Sequence, residues 1–198
     1  MNEKYAIGVD IGGSHIACQI MELNSCTPVA ETYTEVKIAE SESAQKILSA
    51  WDNALSECMQ KAGARAITGL GVAIPSPFDF IRGLAQGHKF ASIKGINVRS
   101  ELHRITGIEP SNIRFTNDAA GFGMGAWSLG GEKARHLIGV TLGTGFGASF
   151  IVDGCYATYG PGVPIGGELW EYPFRGRIAR HAGSKRNSIK LPVYPLPA

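Results

Sequence analysis

Two glycine turns hold the residues best suited to chemistry. The segment IGVDIGGSHIACQI (Ile7 to Ile20) returns 131 residues later as IGVTLGTGFGASFI (Ile138 to Ile151), with six of fourteen positions identical. Near-repetition at this distance points to a duplicated domain. Each copy reads as strand, tight turn, strand, because glycine tolerates the positive φ that such turns use. A turn without Cβ atoms presents bare N–H groups, and arrays of that kind hold phosphate oxygens. Two facing copies would grip one polyphosphate from two sides. Asp10 ends the first strand at its turn, whereas Thr141 stands at the matching place in the second copy, so only the first turn supplies an acid. Asn117-Asp118 follow an apolar segment, and Glu168 and Glu171 lie in the run GGELWE.

The elements that must position these residues follow from hydrophobic patterning. Tyr5–Val9, His15–Leu23 and Val29–Val36 read as three consecutive strands, the last alternating as a half-exposed edge does, and together they form an antiparallel meander. Ser41 or Ser43 then caps a helix with Ile47, Leu48, Trp51, Leu55 and Met59 on one face, and Gly63 ends it. Ile67–Ile74 is a buried strand stopped by PSPFD. Val98–Thr106 is a short helix, Ile113–Thr116 the strand that delivers Asn117-Asp118, and Ala119–Leu129 a helix of small residues suited to close packing. Leu137–Leu142 opens a second meander.

Composition sets bounds. Hydrophobic residues at 44% and charged ones at 18% fit a soluble globular protein. The net charge of +2 hides a basic end, Arg175, Arg177, Arg180, Lys185, Arg186 and Lys190, without which the remainder carries −4. The basic residues of the body are scattered rather than banded, so no nucleic-acid partner is expected. No run approaches the roughly 18 uninterrupted apolar residues of a membrane helix, so no membrane partner is expected either. Cys18, Cys26, Cys58 and Cys155 lack paired spacing and the first residues do not read as a secretion signal, which leads to a cytoplasmic location.

Four segments in register, DIGGS (Asp10–Ser14), NDA (Asn117–Ala119), LGTGFG (Leu142–Gly147) and GGELW (Gly166–Trp170), resemble the ROK family of bacterial sugar kinases and sugar-responsive regulators. The resemblance covers Lys4 to about Phe174. It implies an α/β protein with the actin-like, ribonuclease-H-like sugar kinase fold: residues 1–134 as an N-terminal domain with the first phosphate loop, and 135–174 as the start of a second domain that remains incomplete. Residues 175–198 read as a basic tail with neither helical nor strand periodicity, disordered or non-native.

The resemblance also implies roles. Phosphoryl transfer needs a sugar hydroxyl in line with the γ-phosphate, amides and a metal on the phosphate charge, and a base for the hydroxyl proton. Asp118 matches the family's base, and Asn117, Asp118 and Glu168 match its sugar-binding positions. Capping of the following helix is the other role open to Asp118. Asp10 matches the aspartate that organises Mg²⁺, usually through water; an Asx-turn is its alternative. Gly12, Gly13 and Ser14 would touch phosphate oxygens from the first domain, and Gly143, Thr144, Gly145 and Gly147 from the second. Trp170 and Glu171 stand where the family has glycine and histidine, and its cysteine-rich zinc run is absent, so no zinc is expected. Glu171 is then either a sugar contact or a solvated acid. The expected activity is ATP- and Mg²⁺-dependent phosphorylation of the primary hydroxyl of glucose or a related hexose, with polyphosphate as another donor open to the chain and a homodimer compatible with it. The alternatives are a non-catalytic sugar-responsive regulator and an inactive truncated product. Residues 1–198 alone are expected to leave an apolar sheet face uncovered, to bind sugar weakly and to transfer phosphate poorly.

Overall fold

In the computed structural model, residues 3–86, 91–130, 134–142, 146–167, 169, 172–174 and 177–178 are described. They divide into two compact units, Met1–Gly121 and Phe122–Ala198. The division falls inside a helix, ahead of the boundary between residues 134 and 135 that the resemblance implies.

The first unit opens with β1 (Tyr5–Ile11) and β2 (His15–Glu22), antiparallel in the register Tyr5↔Glu22 to Ile11↔Ile16. Their alternate residues Ile7, Val9, Ile11, Ile16, Cys18 and Ile20 are buried, which is the period-two pattern of a half-buried sheet. The third strand is not the continuous Val29–Val36 expected. It is split into β3 (Thr27–Pro28) and β4 (Thr34–Lys37) by a 3-10 turn at Ala30–Thr32. The cause is a side-chain bond to the neighbouring strand: the buried Thr32 hydroxyl accepts the Ile20 N–H at 2.9 Å and donates to the Val29 carbonyl at 2.7 Å, replacing a backbone rung.

Helix α1 (Ala44–Ala62) starts at Ser43, whose Oγ accepts the Lys46 N–H, and ends at Gly63. Its face Ile47, Trp51, Leu55 and Cys58 is fully buried in the same core cluster as β1 and β2. Strand β5 (Ile67–Ala73) pairs parallel to β1. The PSPFD segment carries a cis Ser76–Pro77 peptide and then forms a small hairpin, β6 (Phe78–Asp79) with β7 (Leu84–Ala85). Helix α2 (Val98–Thr106) and strand β8 (Ile113–Thr116) have the bounds expected from their patterns, and β8 pairs parallel to β5. The sheet order is β3-β2-β1-β5-β8, with β4 also on β2: an antiparallel meander continued by parallel strands, as in ribonuclease-H-like units.

Helix α3 (Asp118–Leu129) begins one residue earlier than the pattern indicated, so Asp118 lies in its first turn. In the second unit β9 (His136–Leu142), β10 (Phe146–Val152) and β11 (Cys155–Ala157) form a meander in the order β11-β10-β9. Its register departs from the first copy by one residue. Asp10 pairs with Ala17, but Thr141 pairs with Gly147 rather than with Ala148. Ile138, Val140 and Leu142 are exposed along β9. A last hairpin joins β12 (Pro173–Phe174) to β13 (Arg177–Ile178), so the basic segment has strand pairing at its start, contrary to the reading of its periodicity; residues 179–198 lie outside those described.

Candidate active site

Parallel strands bring their C-terminal ends to one edge of the sheet, which is where ligands bind in open α/β sheets. The register row Asp10–Ala73–Thr116 fixes that edge here. Asp10 therefore stands on the rim beside the segment that follows β5 and the Asn117-Asp118 pair that follows β8. The Ile74 N–H donates to the Thr116 carbonyl at 3.0 Å, extending the pairing as far as the site. Asn117 Nδ2 donates to Ser76 Oγ at 3.4 Å, so the turn after β5 and the end of β8 touch through side chains.

Asp118 is exposed, and its Oδ1 accepts the Ala119 N–H at 2.9 Å. Asn117 Oδ1 accepts the same N–H at 3.0 Å. Capping is thus shared by two side chains, and among the described residues nothing bonds the second Asp118 oxygen. Asp10 is 55% exposed at its side chain and stands 3.7 Å from His15 Nε2. Partial removal from water pushes its carboxyl above the ordinary carboxylate range; His15 opposes this, and the negative charge of Asp118 adds to it. A hard cation would relieve the repulsion between two such carboxylates.

The first glycine turn does not use positive φ at Gly12 or Gly13, contrary to the reason given for those glycines in the sequence. What they supply is backbone without side chains. The chain after β4 folds over the turn, with Ile38 N–H donating to the Ser14 carbonyl at 3.0 Å and Glu40 N–H to the Gly13 carbonyl at 2.9 Å. A Cβ on Gly13 would stand 2.8 Å from Glu40 Oε2, and one on Gly12 3.2 Å from His15 Cε1. Among the described residues, the N–H groups of Gly13 and Ser14 meet no protein acceptor. Unpaired amides beside a pair of carboxylates fit the chemistry of a metal-bound phosphate, which needs donors for its oxygens and acids for its cation.

His15, Glu40 and Ser76 were missed as site neighbours. His15 reads from the sequence as a turn-edge residue, and Glu40 lies 27 positions past Gly13 with no motif of its own. Only the β2–β4 register, in which His15 pairs with Lys37, brings the following residues over the turn.

In the second unit, Gly147 lies in β10 opposite Thr141. Gly143, Thr144, Gly145, Glu168 and Glu171 lie outside the described residues. A groove among the described residues is lined by Ile138, Phe150, Gly162, Val163, Pro164, Leu169 and Tyr172. No group of His, Cys, Asp and Glu among the described residues has the arrangement of a metal cage, and no described helix is long and apolar enough to cross a membrane.

The comparisons with known proteins bear on the fold and the family. A search of curated sequences finds no match. Among solved structures, the chain is similar to a ROK hexokinase from Thermus thermophilus, with 24% identity and a TM-score of 0.63 over 86% of this chain and 53% of that one. It is also similar to an inorganic polyphosphate/ATP-glucomannokinase from Arthrobacter sp. strain KM, with 22% identity and a TM-score of 0.69 over 92% of this chain and 69% of that one. A ROK family transcriptional regulator, a homologue of the E. coli MLC protein, is similar at 16% identity and a TM-score of 0.66 over 92% of this chain and 47% of that one. The chain spans about half the length of the hexokinase and of the regulator. At these identities the likeness is one of fold. The family pattern itself matches residues 6–166, so the chain belongs to the ROK family.

Proposed function

We propose that the protein is a hexose kinase, glucokinase-like, that transfers the γ-phosphoryl group of ATP to the primary hydroxyl of glucose or a related hexose. The observation that carries this reading is the gathering of Asp10, Asp118 and the unpaired amides of Gly13 and Ser14 at one edge of the sheet. Bound Mg²⁺ would supply charge neutralisation at the transferred phosphate, held by the water shell that Asp10 orients. The Gly13 and Ser14 amides bind phosphate oxygens. Asn117 orients the sugar, and the free oxygen of Asp118 takes the proton of the attacking hydroxyl. The sequence resemblance assigns a further sugar contact to Glu168 and further phosphate contacts to Gly143, Thr144, Gly145 and Gly147. The family's sugar kinases and the ATP-using Arthrobacter enzyme support the donor, with polyphosphate as a second one.

The regulator reading shares the fold. A protein that only senses sugar needs neither a base nor a cation-organising acid, and the presence of both Asp10 and Asp118 favours transfer. The test is a coupled assay of the full-length protein with ATP, Mg²⁺ and a panel of hexoses. Sugar-6-phosphate formation that depends on Mg²⁺ is expected. Saturable hexose binding with no transfer from ATP or polyphosphate would instead establish a sugar-sensing role.

A further inference from the structure

A half-buried side chain, Arg99 on α2, links the β6–β7 hairpin to β8. Its Nη1 donates to the Pro110 carbonyl at 3.1 Å and also to the Ile113 carbonyl, and its Nη2 donates to the Ile81 carbonyl at 2.9 Å and, at a long 3.5 Å, to that of Phe80. The guanidinium also lies 4.9 Å from the Phe115 ring centroid, and Phe115 packs on Phe78 at 5.0 Å. Among the described residues no carboxylate pairs with it. A cation satisfied by carbonyls from two separate segments acts as a clamp: one plane of donors fixes the loop of the hairpin and the entry to β8 at once.

The rest of the contact is built around this clamp. Gly83, at the end of the hairpin loop, has φ of +76° and approaches so closely that a Cβ there would stand 2.9 Å from Arg99 Cβ and 3.1 Å from Phe115 Cε2. Its carbonyl accepts the Val98 N–H at 2.8 Å. The base of the same hairpin is Ser76–Pro77, and Ser76 Oγ is the acceptor for Asn117 Nδ2. The hairpin is thereby tied to β8 at both ends, through Arg99 at its tip and through Asn117 at its base.

We propose that Arg99 is a positioning residue that sets the sugar-side wall of the site by clamping the β6–β7 hairpin to the strand that delivers Asn117 and Asp118. This rests on the sugar-binding reading of Asn117. Arg99 touches no substrate and acts through the Ser76–Asn117 contact. Its loss weakens sugar affinity more than it slows transfer.

The experiment compares the full-length protein with Arg99→Met, which keeps the apolar stem, and Arg99→Lys, which keeps the charge but not the fork of donors. Hydrogen–deuterium exchange reads the hairpin amides, calorimetry reads glucose binding without nucleotide, and steady-state kinetics separates KM from kcat. Both variants are expected to exchange residues 78–85 at least about tenfold faster and to raise the glucose Kd and KM about tenfold, with kcat within about threefold of wild type. Gly83→Ala, which strikes the same contact from the other side, is expected to give the same signature should Arg99→Met not fold. Unchanged glucose affinity in variants whose hairpin exchanges faster overturns the proposal, and so does unchanged exchange. A wild-type protein that binds glucose but transfers no phosphate overturns the kinase reading alone. Absence of glucose binding by the wild type overturns both.

Discussion

Ser149 on β10 is fully buried, and its hydroxyl has no hydrogen-bond partner among the described residues. It is wedged between two glycines. A Cβ on Gly123 of α3 would stand 2.1 Å from Ser149 Oγ and 2.9 Å from Ser149 Cβ, and one on Gly139 of β9 2.6 Å from the same oxygen. A buried hydroxyl without a partner costs about 1–3 kcal/mol of desolvation. Removing one oxygen leaves a void of atomic size, which at about 24 cal/mol per Å³ returns only a few tenths. Ser149→Ala is therefore expected to stabilise the second unit by about 1 kcal/mol. Gly123→Ala gains up to about 1 kcal/mol in helix propensity. It meets contacts that no real Cβ tolerates, however, and overpacking of that kind costs about 1–3 kcal/mol or more. The alanine at 123 should therefore destabilise on balance. In the Ser149→Ala background the 2.1 Å contact disappears while the 2.9 Å one stays, so the cost should fall by about 1 kcal/mol without vanishing. Urea unfolding of the four proteins of this cycle measures the coupling. A destabilised Ser149→Ala would show that the hydroxyl makes a bond, and equal costs of Gly123→Ala in both backgrounds would refute the packing argument.

Two further predictions concern Asp10. Asp10→Ala should raise the Mg²⁺ concentration needed for turnover, read from initial rates in a metal titration, and an unchanged requirement would leave Asp10 a turn residue only. Because the folded protein holds the Asp10 proton more tightly than the unfolded chain, the ionised group costs stability above its raised folded value, and the cost is relieved as pH falls through the carboxylate range. Without metal, Asp10→Asn should thus melt at a higher temperature than wild type at neutral pH, with the difference shrinking toward acid; a difference that grew on acidification would reverse the sign of the argument.

Elements with both a period and a punctuation mark were legible in the sequence. Ser43, the Ile47–Trp51–Leu55 stripe and Gly63 delimit α1 without tertiary help. Val98–Thr106 and Ile113–Thr116 are bounded as cleanly, so that Asn117-Asp118 is legible as the pair that follows a strand, although Asp118 itself opens α3. What failed was set by partners distant in sequence. The Val29–Val36 alternation looks like one strand, but the Thr32 hydroxyl takes over the Ile20 amide and breaks it. The glycine turn reads as bare backbone, but that Glu40 and His15 lie against Gly13 and Gly12 follows from the β2–β4 register, which the sequence does not display. The one-residue difference in pairing between the two hairpins is likewise invisible in a gapless repeat.

The central claim is that Asp118 is a base rather than a cap, and Asp118→Asn separates the two. The substituted amide oxygen still accepts the Ala119 N–H, which Asn117 Oδ1 also holds at 3.0 Å, so stability should change by less than about 0.5 kcal/mol. The ability to take a proton is lost. In the full-length protein, kcat for hexose phosphorylation is expected to fall by about 10²–10⁴, equivalent to about 2.7–5.5 kcal/mol in the barrier, with sugar affinity little changed. A variant that keeps wild-type kcat would contradict the assignment and leave Asp118 with its capping role alone.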